Sequence, residues 1–188
     1  MLDAQPITRS KADRLFFALL PDAETAARIA RLAEALKQAR RFTGRLIRPE
    51  HLHVSLFFLG AFDGLPERIL ARACEAAAAV RAPPFTIAFD RSASFGRDAD
   101  KHPFVLLGGD AALLALRAAL GAALMARKLG HVTRAPFTPH MTLLYDARFA
   151  DEAPLSPVAW TAREIVLVHS HYGQTRHEHL ARFALGAH

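Results

Sequence analysis

The stretch HLHVSLFFLG, residues 51–60, sets two histidines and a serine into a run of strand-forming apolar residues. Successive side chains on a strand turn to opposite faces, so the segment divides into two rows. Leu52, Val54, Leu56 and Phe58 form an apolar row that should face a core. His51, His53, Ser55, Phe57 and Leu59 form the other row, polar at its start and apolar at its end, which should line a cleft. On that row His53 and Ser55 stand about 6–7 Å apart and project the same way.

A second segment, TPHMTLLYD at 138–146, repeats the pattern. His140, Met141 and Thr142 match His53, Val54 and Ser55 as histidine, apolar residue, hydroxyl residue, again on an expected strand. Alternation puts Pro139, Met141, Leu143 and Tyr145 on one face and His140, Thr142, Leu144 and Asp146 on the other. One triplet in each half of the chain, each following a helix by a loop, reads as an internal repeat. The alignment selects His53 over His51, which has no counterpart.

Around the triplets the elements follow from periodicity and punctuation. RLFFALL (14–20) has strand length and runs into Pro21 and Asp22, a turn and a helix cap. Residues 22–40 carry Ala26, Ile29, Leu32, Ala33 and Leu36 at helical spacing. A loop follows with Gly44 and Pro49, then the first triplet, then a helix from about Pro66 to Val80. FTIAFDRSASF and PFVLLGG read as strands, and 110–128 as a helix capped by Asp110. EIVLVHSHY and RHEHLARFAL form a hairpin around Gly173. The pattern predicts an α+β, split βαβ arrangement with helices covering the sheets. Residues 1–13 read as a flexible N-terminal arm and 14–188 as a single bilobal domain.

The 188 residues suit one well-packed domain, and 52% apolar residues supply its core. The single cysteine, Cys74, excludes an internal disulfide and favours a reducing compartment. With no leader-like start and no run of about 18–20 apolar residues, the sequence points to the cytoplasm and away from membranes. A net charge of +6 and a pI near 10.2 suit a phosphate-bearing partner such as RNA.

A histidine and a hydroxyl from each of two facing strands suit phosphodiester chemistry. One imidazole takes a proton from the attacking oxygen while the other gives one to the leaving oxygen. Ser55 and Thr142 can donate hydrogen bonds to the non-bridging oxygens, where charge grows. Such a site needs neither a cofactor nor a metal.

Four segments, RLFFALLPD, GRLIRPEHLHVSLFFLG, FTPHMTLL and LARFAL, together resemble the two-histidine phosphoesterases. Within these the resemblance is to the bacterial RNA 2',3'-cyclic phosphodiesterases, also described as 2'-5' RNA ligases. It spans nearly the whole chain. It implies a bilobal, pseudo-symmetric fold with two small antiparallel sheets facing a central cleft and helices outside. It also implies that His53 and His140 are the catalytic pair and that Ser55 and Thr142 hold the phosphate. The expected activity is metal-independent hydrolysis of an RNA or nucleotide 2',3'-cyclic phosphate to a 2'-phosphomonoester, with reverse 2'-5' ligation open to the same site and no obligate protein partner.

One departure stands out. The family often has arginine three residues after the second hydroxyl, where this chain has Tyr145. Arg45, Arg48 and Arg134 are further candidates for meeting the phosphate charge, and Phe42, Phe95 and Phe137 for stacking on a base. Two alternatives compete with this reading. The pairs His51/His53, His169/His171 and His177/His179 are workable starts for a metal-dependent hydrolase, although neither H-x-H-x-D nor H-E-x-x-H occurs. A non-catalytic RNA-binding protein is the other. Ligation driven by a nucleotide is disfavoured, because neither a P-loop nor the K-x-D-G signature of adenylating ligases is present.

Overall fold

The computed structural model describes residues 13–96, 100–134, 136–171 and 173–186. Apart from Asp13, the arm expected over 1–13 lies outside the described residues. Eight strands and three α-helices follow in the order β1 (Asp13–Leu19), α1 (Ala23–Ala39), β2 (Val54–Phe62), α2 (Glu67–Ala78), β3 (Phe85–Ser94), β4 (His102–Gly108), α3 (Ala111–Ala126), β5 (His140–Asp146), β6 (Ala153–Ala162), β7 (Glu164–His171) and β8 (Arg176–Ala184).

Helices α1 and α3 start where their caps dictate, whereas α2 follows Pro66 without a side-chain cap. Asp22 accepts the Thr25 N–H at 2.8 Å, and Asp110 accepts those of Ala112 and Leu113 at 3.0 and 3.1 Å. The β7–β8 hairpin turns through Gly173 at φ +72°, a conformation that glycine adopts without strain.

The strands form two antiparallel sheets, β2-β1-β7-β8 and β5-β4-β3-β6. The architecture is α+β and bilobal, and its repeat is visible in the chain path. β1–α1–β2 and β4–α3–β5 are each a strand, a helix and an antiparallel neighbour of the first strand. Each triplet therefore belongs to the outermost strand of its sheet. One large core runs through both sheets and all three helices, from Phe17 and Ile29 to Phe104, Leu120 and Leu167. Smaller apolar clusters lie elsewhere on each sheet, around Phe16 and Val168 and around Val105 and Leu107.

Three expectations are corrected. His51 ends a 3-10 turn, Pro49–His51, and the strand begins only at Val54. Strict alternation fails within both triplet strands. Ala18 faces Ser55 while Phe17 faces Phe57, which leaves Leu56 as an extra residue. Val105 faces Thr142 while Phe104 faces Leu144, which leaves Leu143 extra. A bulge of this kind inverts the phase of the residues that follow it, and in β2 a second one at Leu59, between the Phe16–Phe58 and Leu15–Gly60 pairs, inverts it again. Phe57 is accordingly buried and Phe58 is 53% exposed, while Leu144 is buried and Tyr145 is 49% exposed. Finally, β6 is a strand that the sequence conceals behind Pro154 and Pro157. As an edge strand it tolerates both.

Candidate active site

A cleft of about 690 Å³ lies between the two sheets. The β2 side contributes His53, Ser55 and Phe58, and β5 contributes His140, Thr142 and Tyr145. Both triplets thus face one cavity. The bulges at Leu56 and Leu143 sit at the same step of the repeat, one residue past the hydroxyl, so Phe58 and Tyr145 enter the cleft at matching positions, each five residues beyond its histidine.

The two histidines are held identically. His53 Nδ1 lies 2.7 Å from the carbonyl of His51, and His140 Nδ1 lies 2.7 Å from that of Thr138. A carbonyl only accepts, so each Nδ1 carries a hydrogen and donates it. That leaves both Nε2 atoms for proton transfer. Phe16 flanks the His53 ring at 5.0 Å between centroids, and Phe95 meets the His140 ring edge-on at 5.1 Å.

Burial pushes the pKa of His53 below the ordinary histidine value. Its bond to the His51 carbonyl opposes this, and the charges of His140 and His51 add to it. His53 therefore rests neutral near pH 7, with a lone pair on Nε2.

The carbonyls at the bulges are also secured. Arg117 Nε, from α3, donates to the Leu56 carbonyl at 3.2 Å, and its guanidinium lies 4.4 and 4.3 Å from the Phe57 and Phe137 ring centres. The Leu143 carbonyl accepts the Ile47 N–H at 2.7 Å. Asp146 fastens the same connecting segment to β5, accepting the N–H groups of Thr43 and Gly44 at 2.6 Å each. Burial alone would raise its pKa, but these backbone bonds together with that of Arg148 bring it below the usual carboxylate value. Gly44 is required here, since a Cβ would run into the Tyr145 carbonyl.

Other sequence candidates lie elsewhere. Arg45, Arg48 and Arg134 are not among the residues lining the cleft, and Arg48 sits 3.8 Å from Glu50. Phe42 packs on Phe104 in the core, and Phe137 is taken up by Arg117. The cation that does line the cleft is Arg14, at the start of β1, together with Ser170 and Thr175. No motif marks Arg14. Its signal is alternation on β1, which turns Arg14 and Phe16 to the face opposite Leu15 and Phe17.

His51 and His177 bring two further imidazoles to the cleft. The His177 ring centre lies 4.3 Å from that of His51 and 5.6 Å from that of His53. Burial, aided by the charges of His53, His51 and His179, lowers its pKa to about 3. The pair His177/His179 therefore divides. His177 enters the cleft, and His179 lies in a neighbouring groove, where Arg182 donates to its Nδ1 at 2.8 Å.

Comparison with known proteins bears on the family and the fold. The family model described as the 2'-5' RNA ligase superfamily matches residues 21–174. No curated protein matches the chain significantly. Among solved structures, the protein TT0787 of Thermus thermophilus is 22% identical with a TM-score of 0.75, over 93% of this chain and 100% of its own. A structure described as a phosphoesterase is 26% identical with a TM-score of 0.70, over 94% of this chain and 99% of its own. LigT of E. coli, solved in complex with 3'-AMP, is 27% identical with a TM-score of 0.70, over 95% of this chain and 100% of its own. Among the described residues no helix is long and apolar enough to cross a membrane. With the match covering most of the chain and the two-sheet fold shared throughout, the protein belongs to the 2'-5' RNA ligase superfamily and is an enzyme of its phosphoesterase and ligase type.

Proposed function

We propose that this protein hydrolyses the 2',3'-cyclic phosphate of an RNA end or nucleotide to a 2'-phosphomonoester, using His53 and His140 as an acid and base pair. The observation that carries the reading is the matched pair of triplets on two outermost strands, each histidine donating Nδ1–H to the carbonyl two residues before it and so presenting Nε2 to one cleft.

His53, neutral by burial, takes the proton from water through Nε2 as the water oxygen bonds to phosphorus. The bond from phosphorus to O3' breaks, and His140, protonated on Nε2, gives that proton to the departing O3'. The products are a 2'-phosphate and a 3'-hydroxyl. Ser55 and Thr142 donate to the non-bridging oxygens, and Arg14 supplies positive charge where Tyr145 replaces arginine. If an RNA 5'-hydroxyl attacks in place of water, the same bond breaks and a 2'-5' linkage forms. Hydrolysis and ligation are thus one reaction with two nucleophiles.

LigT of E. coli has been solved with 3'-AMP, ATP and NADP+, which supports a nucleotide-bearing substrate here. Residues 14–188 act as one bilobal unit in this reading, and the location it fits is the cytoplasm. The metal-dependent alternative is disfavoured by placement. Among the described residues the three-ligand cluster, Asp13, His169 and His171, lies on the other face of the β2-β1-β7-β8 sheet, away from the scissile bond.

The test is an assay of EDTA-treated protein on a cyclic-phosphate-ended RNA and on nucleoside 2',3'-cyclic phosphates, with product position read by phosphorus NMR. The expected product is the 2'-phosphate, with turnover reduced about 100-fold or more in His53→Ala and in His140→Ala. A 3'-phosphate product, or activity that one divalent ion alone restores even in Asp13→Asn protein, would overturn the reading.

A further inference from the structure

Of the three H-x-H pairs, His169/His171 is the one the cleft leaves unused. On the β1–β7 pairing Arg14 stands opposite Ser170 and Leu15 opposite His169, so Asp13 falls beside His171. Arg14 and Ser170 line the cleft, which puts Asp13, His169 and His171 on the reverse face, where the sheet carries its core. There the three side chains converge. Asp13 Oδ2 lies 3.0 Å from His169 Nε2 and 3.5 Å from His171 Nδ1, and the three ligating atoms all lie within 4.8 Å of one another. The two imidazoles are only 10% and 16% exposed.

The other nitrogen of His171, Nε2, lies 3.0 Å from Glu178 Oε2. A carboxylate accepts, so Nε2 carries the hydrogen, and in the neutral tautomer a bare Nδ1 faces the Asp13 carboxylate. Two lone pairs separated in this way have the spacing of adjacent ligands on an ion bound at about 2.0–2.2 Å. A carboxylate behind the imidazole is the outer partner that orients metal-bound histidines. Two ring nitrogens and one carboxylate oxygen suit a borderline transition-metal ion, whereas calcium and magnesium prefer all-oxygen sites.

We propose that Asp13, His169 and His171 bind a divalent transition-metal ion of the zinc class, in a structural site on the reverse face of the sheet. The ion fastens the first residue of β1 to the β7–β8 hairpin, whose opposite face carries Ser170 and His177 into the cleft. It takes no part in the phosphodiester chemistry, so the site stands or falls independently of the proposed function.

The experiment is titration of EDTA-stripped protein with Zn2+ alone and Co2+ alone, followed by calorimetry, elemental analysis and the Co2+ electronic spectrum. One ion per chain is expected. Its binding should raise Tm by about 5–10 °C at hundredfold excess over Kd. His171→Gln and Asp13→Asn should each weaken binding by at least about 100-fold, and Glu178→Gln by about tenfold. Asp13→Asn is nearly isosteric at a partly exposed position, so it reads the site even where a buried-histidine variant fails to fold. His177→Ala should bind the ion undiminished. Absence of saturable binding overturns the proposal. So does binding that survives Asp13→Asn and His171→Gln, or that depends on His177 instead.

Discussion

At the scale of single residues, the cleft separates its histidines by what each ring touches. His53 is held by a carbonyl, flanked by Phe16 and neutralised by burial. A base acts only when unprotonated, and its depressed pKa keeps it so below the ordinary histidine value of about 6.5. The acid limb of kcat/KM should therefore fall below that value. His51 contributes its carbonyl to this arrangement through the backbone, while its ring lines the cleft beside His177 and acts on His53 as a neighbouring charge. His51→Ala keeps the carbonyl, so kcat should change by no more than a few-fold while the acid limb moves slightly upward, burial remaining the main cause of the low His53 pKa. A loss of turnover as large as that of His53→Ala would show that the ring itself is needed. Arg14 is tested at the same scale. Arg14→Gln should lower kcat/KM by about 10- to 100-fold, with the salt dependence of KM reduced, because a cation facing a phosphate is screened by ions. Unchanged salt dependence would remove Arg14 from the phosphate.

At the scale of elements, the two bulges decide which aromatic residues meet the substrate. Leu56 and Leu143 each add one residue to a strand, and each has its carbonyl taken by a distant donor, Arg117 Nε or the Ile47 N–H. Arg117 reads as a positioning residue for Ser55 and Phe58, since its side chain holds the Leu56 carbonyl and its guanidinium lies over the Phe57 and Phe137 rings, and it is absent from the lining of the cleft that both triplets face. Arg117→Met keeps most of the apolar packing and deletes the hydrogen bond. It should cost about 1–2 kcal/mol of stability and lower kcat about tenfold with KM nearly unchanged, and Arg117→Lys should restore part of the rate. A Tm loss with kcat intact would make Arg117 merely structural. These bulges also mark where the sequence stops being legible. The triplets, the caps at Asp22 and Asp110 and the hairpin at Gly173 are readable because each rests on local chemistry: alternation, a side chain reaching three residues ahead, a positive φ. Alternation assigns Phe58 and Tyr145 to the wrong face because a bulge depends on a partner strand that the local pattern does not contain. The strand β6 is hidden for a related reason, since its prolines are acceptable only on an outer strand, and being outermost is a property of the sheet. Arg14 and His177 are invisible as a site because they reach the cleft from strands remote in sequence from both triplets.

At the scale of the whole molecule, the two-lobed fold gathers imidazoles that would titrate ordinarily in the unfolded chain. His51, His53, His177 and His179 all have lowered pKa values, burial being the largest cause in each, and His177 is taken down to about 3. Between the unfolded value of about 6.5 and these folded values, the unfolded chain binds more protons than the native one. Stability contributed by these rings is complete above about pH 6.5 and is lost progressively as pH falls, with a slope of at most about 1.4 kcal/mol per pH unit for each ring. Tm should therefore decline from about pH 6.5 towards about pH 4 more steeply than carboxylate titration alone requires. His177→Phe, which removes the most strongly shifted ring and fills a similar volume beside Phe16 and His51, should flatten that decline. The cleft's occupant should oppose that decline. A phosphate bound among Arg14, His53 and His140 favours protonated imidazole nearby, so inorganic phosphate or a nucleoside 2'-phosphate should raise Tm more at about pH 5 than at about pH 7.5. A ligand effect equal at both values, or a decline unaltered in His177→Phe, would mean that acid sensitivity resides outside the cleft and that its histidines are not linked to what it binds.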